Sequence, residues 1–312
     1  MPTSDERLKR ISRDVFLGAF GQMGDLEDRV VARVAAIMDE DTFKPGETIF
    51  AEGDAPRALY LMHDGAIRMS RNNGATWRVE GRWALGLHAA ILQEPHTTTA
   101  IAETPLRLLR FPASAWLDML EDSFALTSRV IGFTSRVVAG LEERIPSLPP
   151  NVPSPKRVST LVDKLAFMLD VRMLRGAGVQ ALADLATVAR EVTYEAGDVV
   201  HAPAAERREL AFVAAGEVVA RNLQVSATRK YVARDLVCGA AAFGPAAFRW
   251  EATAASDVRA LVVPVDAWFD AMEEHFDLAR AALSALAARR QLLIEHLAKG
   301  GELVLRWRLT EI

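Results

Sequence analysis

The chain has 312 residues, half of them hydrophobic, and 37 basic against 41 acidic side chains give a net charge of −4. This length sets a prior of about two domains, and charge spread without long single-sign runs speaks against a general polyanion-binding surface. A single cysteine, Cys238, excludes an intrachain disulfide framework. The charged start MPTSDERLKRISRD is no secretory signal and no stretch approaches the roughly 18 apolar residues of a membrane span, so a cytoplasmic protein without membrane contact is expected.

Residues 1–24 read as an N-terminal helical extension. Within it Lys9-Arg-Ile-Ser12 has the form of a kinase substrate stretch, which a solvated helix start explains more simply. Residues 25–39 place Leu26, Val30, Val31, Val34 and Ile37 at helical spacing behind Asp25 as a cap. Between 43 and 111 the pattern changes to short apolar runs (TIF, ALYLM, AIRM, LRLLRF) separated by Gly46, Gly53-Asp54, Asp64-Gly65 and Asn72-Asn73-Gly74. Gly, Asn and Asp tolerate the positive φ of tight turns, so these are strands. From Pro112 to about Ile145 the period is helical again. Prolines then crowd Pro146-Ser-Leu-Pro-Pro-Asn-Val-Pro-Ser-Pro155; they fix φ and remove donors, making 146–156 a stiff linker. Ser154 or Ser159 is the expected cap of a helix to about Arg175, with Val158, Leu161, Val162, Leu165 and Leu169 on one face and Gly176 as its stop. Residues 179–191 form another helix and 192–263 strands and turns. Val265 to about Lys299 forms one Ala-rich helix uninterrupted by Gly or Pro, and a tail at 301–312 remains.

The chain also repeats itself. Trp116-Leu-Asp-Met-Leu-Glu-Asp-Ser-Phe-Ala-Leu126 returns as Trp268-Phe-Asp-Ala-Met-Glu-Glu-His-Phe-Asp-Leu278, 152 residues on; Pro112 and Arg107 meet Pro264 and Arg259 at the same spacing, and Gly46 and Gly65 meet Gly197 and Gly216 at 151. Such a period exceeds the solenoid range of roughly 20–50 residues, so each copy buries its own core. The copies are placed at 25–145 and 157–300.

FKPGETIFAEGDAPRALYLMHDGAIRM resembles the opening of a cyclic nucleotide-binding domain in its aromatic, Pro-Gly-Glu, Glu-Gly-Asp and Leu-Tyr-Leu elements and in their spacing. The resemblance implies an α+β chain: two antiparallel β-roll domains of jelly-roll type (a double-stranded β-helix), each flanked by helices that move when ligand binds. The family's phosphate-binding cassette would fall at Gly86-Leu87-His88-Ala89-Ala90 and His96-Thr97-Thr98, making those eight residues the candidate ligand site. The family carries a Glu after the cassette glycine, to accept from the ribose hydroxyl, and an Arg after the cassette proline, to pair with the cyclic phosphate. Here those positions hold Leu87 and His96. Leucine accepts nothing, and a neutral imidazole cannot equal the charge-assisted bonds of a guanidinium, so both losses together cost roughly two to four decades of affinity. What remains for an anion is the turn at Gly86, the amides near Ala89 and Ala90, the hydroxyls of Thr97, Thr98 and Thr99, and a charge on His96 below about pH 6.5. In the second copy the degenerate cassette is Gly239, Ala240, Ala241, Phe248 and Arg249. Arg249 stands one position late, where a strand side chain faces the other way.

Other chemistry finds less support. His63, His88 and His96 with Glu94 would suit a metal in a cupin-type roll, and His63 or Cys238 a heme, but no His-x-His pair makes the case, and no metal is expected. Cys238, in LVCG, reads as a small buried residue of an apolar strand. Trp116 and Trp268 read as anchors docking each closing helix on its roll. P-loop, nucleophile-elbow and zincin motifs are absent, and the long helices lead to no helix-turn-helix. The expected protein is therefore a non-enzymatic, cytoplasmic regulatory or scaffolding module that binds no nucleic acid. It needs no cofactor, a cyclic nucleotide being the small molecule the resemblance suggests. It works through a protein partner or as a homodimer formed by the Ala-rich helix 278–297. A sensor of a small anionic ligand in the first copy and a heme- or metal-binding roll are the alternatives.

Overall fold

The computed structural model of the chain describes residues 28–147, 158–203, 209–222, 224–239, 243, 249–299 and 303–306. The expected extension at 1–24, most of the linker 146–156, and Ala240, Ala241 and Phe248 lie outside the described residues. The chain divides into two compact units, one running to Val130 and resuming at Ile294, the other spanning Ile131–Leu293. These limits differ from the boundaries at 145 and 300 expected from the repeat.

The first unit opens with helix α1 (Asp28–Ile37), which buries Val34 and Ala35 ahead of the equally buried Met38. Eight short strands follow: β1 (Asp39–Phe43), β2 (Thr48–Phe50), β3 (Ala58–Met62), β4 (Ala66–Ser70), β5 (Thr76–Glu80), β6 (Trp83–Leu85), β7 (Thr99–Ala102) and β8 (Leu106–Pro112), with the short helix α2 (Leu87–Leu92) between β6 and β7. They form two antiparallel sheets, ordered β1-β8-β3-β6 and β5-β4-β7-β2. The period of two in the sequence is the reason: along β4, Ile67 and Met69 are buried and Arg68 is exposed. Helices α3 (Ala113–Asp122) and α4 (Phe124–Glu143) follow. The tail expected at 301–312 is not featureless, because Leu303–Arg306 forms a strand that lies parallel to β5 and buries Leu303 and Leu305.

In the second unit, helix α5 (Leu161–Asp170) and a 3₁₀ turn (Arg172–Leu174) lead to helix α6 (Val179–Val188). Strands β9 (Arg190–Tyr194), β10 (Val199–His201), β11 (Glu209–Ala215), β12 (Val218–Asn222), β13 (Ala227–Tyr231), β14 (Trp250–Ala254) and β15 (Val258–Pro264) form sheets ordered β9-β15-β11 and β13-β12-β14-β10. Apart from a counterpart to β6, which the described residues lack, this is the strand order of the first unit, in the same register: Ala58 faces Pro112 as Glu209 faces Pro264, and Ile67 faces Ala102 as Val218 faces Ala254. Gly65 and Gly216 occupy equivalent turns at φ +105° and +88°, and a Cβ on Gly216 would fall 2.2 Å from the Asp257 carbonyl oxygen. Helices α7 (Val265–Glu274) and α8 (Phe276–Ala298) close the unit; the last strand, Leu303–Arg306, is β16. The α+β arrangement of antiparallel rolls flanked by helices is the expected one.

Several local expectations are corrected. The helix at 265–299 is broken at His275, which is extended at φ −127° and ψ 90°. Thr160, not Ser154 or Ser159, caps α5, its hydroxyl accepting from Asp163 N–H while the Asp163 carboxylate accepts from Thr160 N–H, and α5 ends at Asp170 before Gly176. The apolar face assigned to this helix holds only in part: Val158 is buried and Leu165 half-buried, but Leu161, Val162 and Leu169 are 54, 76 and 56% exposed, and Phe167 and Met168 are buried instead. Cys238 is buried as expected but lies beyond the strands, in a turn at φ +52°.

Candidate functional site

The first cassette is built where β6 turns into α2. Gly86 has φ +75°, and a Cβ there would sit 3.0 Å from the Ala58 carbonyl oxygen and 3.2 Å from His96 Cε1. Only glycine therefore allows the turn and the close approach of the His96 ring together. That ring is placed by the Glu-Gly-Asp turn, which zips to the segment before β7. His96 N–H donates to the Asp54 carbonyl and Gly53 N–H to the His96 carbonyl, both at 2.8 Å, and Glu52 N–H donates to Thr99 Oγ1 at 3.0 Å.

His96 is 5% exposed and its ring lies on Phe50, with centroids 4.0 Å apart and planes 12° apart. Phe50 in turn stacks on Tyr60, which meets Phe43 edge-on. Burial pulls the His96 pKa below the ordinary histidine value, and Asp54 only partly opposes this. Burial in the aromatic stack thus disfavours a charge on the imidazole and moves the charging expected below about pH 6.5 to lower pH. Leu87 is buried alongside Ala89 and Ala90. The Ala90 amide, offered above to an anion, donates to the Gly86 carbonyl at 2.9 Å and closes the first turn of α2. Thr98 is buried, Thr97 half-buried, His88 half-buried, and the Thr99 hydroxyl serves Glu52. The eight candidate residues do converge on one turn and one strand entrance, but they fill it with apolar and neutral groups.

Of the second cassette, Gly239 follows the turn at Cys238, and Arg249 faces Glu143 of α4, 3.7 Å away. A different arginine dominates this unit. Arg229, 3% exposed on β13, donates to the carbonyls of Glu142 and, at 2.7 Å, of Ile145 and Thr228, with its guanidinium 5.4 Å from the Trp250 ring centroid. It satisfies carbonyls at the C-terminal end of α4, where a helix carries its negative pole. Arg289 holds the Glu142 carboxylate at 2.7 Å, and Asn222 donates to Glu143 at 3.1 Å. Half-buried Tyr231 has its pKa raised well above the usual tyrosine value, first by removal of its hydroxyl from water and then by Cys238 and Glu142. Sequence reasoning missed Arg229 because its partners at the end of α4 lie more than 80 residues away; the one local signal was a charged residue at a position that should face inward. His63, His88, His96 and Glu94 do not form a metal-holding group; among the described residues that description fits a trio elsewhere.

The match with known proteins now has a structure to rest on. Residues 40–123, in the first unit, match the family model of the cyclic nucleotide-binding domain. No curated protein matches the chain. Solved structures that resemble it include the regulatory domain of Toxoplasma gondii PKA with cAMP (14% identity, 96% of this chain and 99% of that one, TM-score 0.34). Others are the regulatory subunit of a cAMP-independent protein kinase A from Trypanosoma brucei (16%, 85% and 84%, 0.33) and a putative cyclic nucleotide-binding protein from Geobacter metallireducens (24%, 41% and 89%, 0.32). At these scores none of them bears on function.

Proposed function

We propose that the chain is a non-enzymatic regulatory or scaffolding protein built on two cyclic nucleotide-binding-type rolls, that it does not take cyclic AMP or cyclic GMP in the family's usual way, and that it acts through protein contacts. The observation that carries this reading is the His96 ring, buried and stacked on Phe50 above Gly86, beside a buried Leu87. A cyclic phosphate needs a cation or a set of free donors, and the position that would supply the cation supplies an aromatic face.

The protein-contact part is supported by the apolar stripe of Leu161, Val162 and Leu169 on α5, which solvent reaches. The Ala-rich helix is a poorer surface than its composition suggests: Ala279, Ala281, Ala282, Leu283 and Ala287 are already buried. Its outward residues, Arg280, Ala288, Leu292 and His296, are mixed in character. The test is to titrate cyclic AMP and cyclic GMP calorimetrically into the wild type and into the variant Leu87→Glu/His96→Arg. No binding by the wild type and micromolar binding by the variant is the expected pair of results. Micromolar binding by the wild type overturns the reading. Light scattering of Leu161→Glu/Leu169→Glu against wild type tests the stripe, whose role in self-association requires that the variant be the smaller species.

A further inference from the structure

The equivalent helix junctions of the two units carry different charges, a cation paired with an anion in the first and two carboxylates in the second. In the first unit Arg33 of α1 pairs with Asp122, the last residue of α3, at 2.5 Å, and Ser123 at the α3–α4 junction accepts from Leu126 N–H at 3.3 Å. Stepping through the repeat, Arg33 becomes Asp184 of α6, Asp122 becomes Glu274 at the end of α7, and Ser123 becomes His275. The backbone is conserved, Ser123 at φ −140°, ψ 96° and His275 at φ −127°, ψ 90°. The guanidinium is therefore replaced by a carboxylate beside another carboxylate, and the serine that capped the next helix is replaced by an imidazole.

We propose that Asp184, Glu274 and His275 bind a divalent transition-metal ion of the Zn²⁺ type. Each offers one donor atom, and the three atoms lie within 4.8 Å of one another, His275 Nε2 being 2.8 Å from Asp184 Oδ2. One imidazole nitrogen and two carboxylate oxygens are a donor set suited to Zn²⁺ and its neighbours, with water completing the shell. The Gln180 amide donates to the other Asp184 oxygen, Oδ1, at 2.9 Å and so fixes the carboxylate with Oδ2 turned to the imidazole, the kind of support that orients a metal ligand. The junction reaches solvent, with 43% of the Asp184 side chain and 22% of the His275 side chain exposed, so an ion can enter. A dication restores the sign of charge that Arg33 supplies in the first unit, and it ties α6 to the α7–α8 junction.

The test is calorimetric titration of Zn²⁺ into the chelator-treated full chain, with His275→Ala and Asp184→Arg as variants. Asp184→Arg recreates the ion pair of the first unit and should keep the thermal midpoint of the metal-free protein, which controls for folding. The expected result is one saturable Zn²⁺ per chain, a midpoint that rises with Zn²⁺, affinity at least tenfold weaker in His275→Ala, and no binding in Asp184→Arg. Absence of saturable binding to the wild type, or binding of equal strength in both variants, overturns the site. The outcome is independent of any cyclic nucleotide titration.

Discussion

Each roll buries a basic side chain, and the two rolls use theirs in opposite ways. In the first, His96 is pressed on Phe50, where burial disfavours its charge, with its backbone zipped to the Glu-Gly-Asp turn. In the second, Arg229 keeps its charge and spends its donors on the carbonyls that end α4. A buried basic residue is therefore no proof of an anion site: what counts is whether its donors still point at open space.

The largest effect that sharpens this comparison concerns the anchors the rolls share. Trp268 is fully buried against Phe212 and Phe243, and Trp116 packs on Phe111. Trp268→Ala and Trp116→Ala should each destabilise its own unit by about 3–5 kcal/mol, read from urea midpoints. Equal values would say the units dock their helices alike. Arg229→Met should cost about 3 kcal/mol, since it removes charge-assisted bonds and strands the α4 carbonyls. Retained stability there would mean that the helix end satisfies itself without the guanidinium.

Smaller, but specific to the first roll, is a pH effect. Burial lowers the His96 pKa, so between that value and the unfolded value of about 6.5 the unfolded chain binds more protons than the native one. Stability therefore falls as pH drops below about 6.5. His96→Phe, which keeps the stack, should flatten that part of the profile of thermal midpoint against pH. An unchanged slope would place the titrating group elsewhere.

Much of this architecture was legible in the sequence. Turn glycines and the Trp-to-Leu repeat pointed to both rolls, and it was the resemblance to the family's cassette that singled out Gly86 and His96. The break at His275 was not, because no Gly or Pro marks it and the junction is set by packing. The face of α5 was misread because Leu161, Val162 and Leu169 obey a helical period that nothing described in the structure covers. The stacking partner of His96 escaped for the same reason as Arg229: Phe50 precedes His96 by a whole set of strands, and only the closed roll brings them together.

The claim that the first cassette is filled rather than empty is tested most directly by thermal melts of the purified protein with and without millimolar cyclic AMP and cyclic GMP. A ligand at a thousand times its dissociation constant stabilises the native state by about 4 kcal/mol and raises the midpoint by several degrees. The account predicts no shift with either nucleotide. A shift of several degrees would contradict it and make the His96–Phe50 stack a feature of ligand recognition.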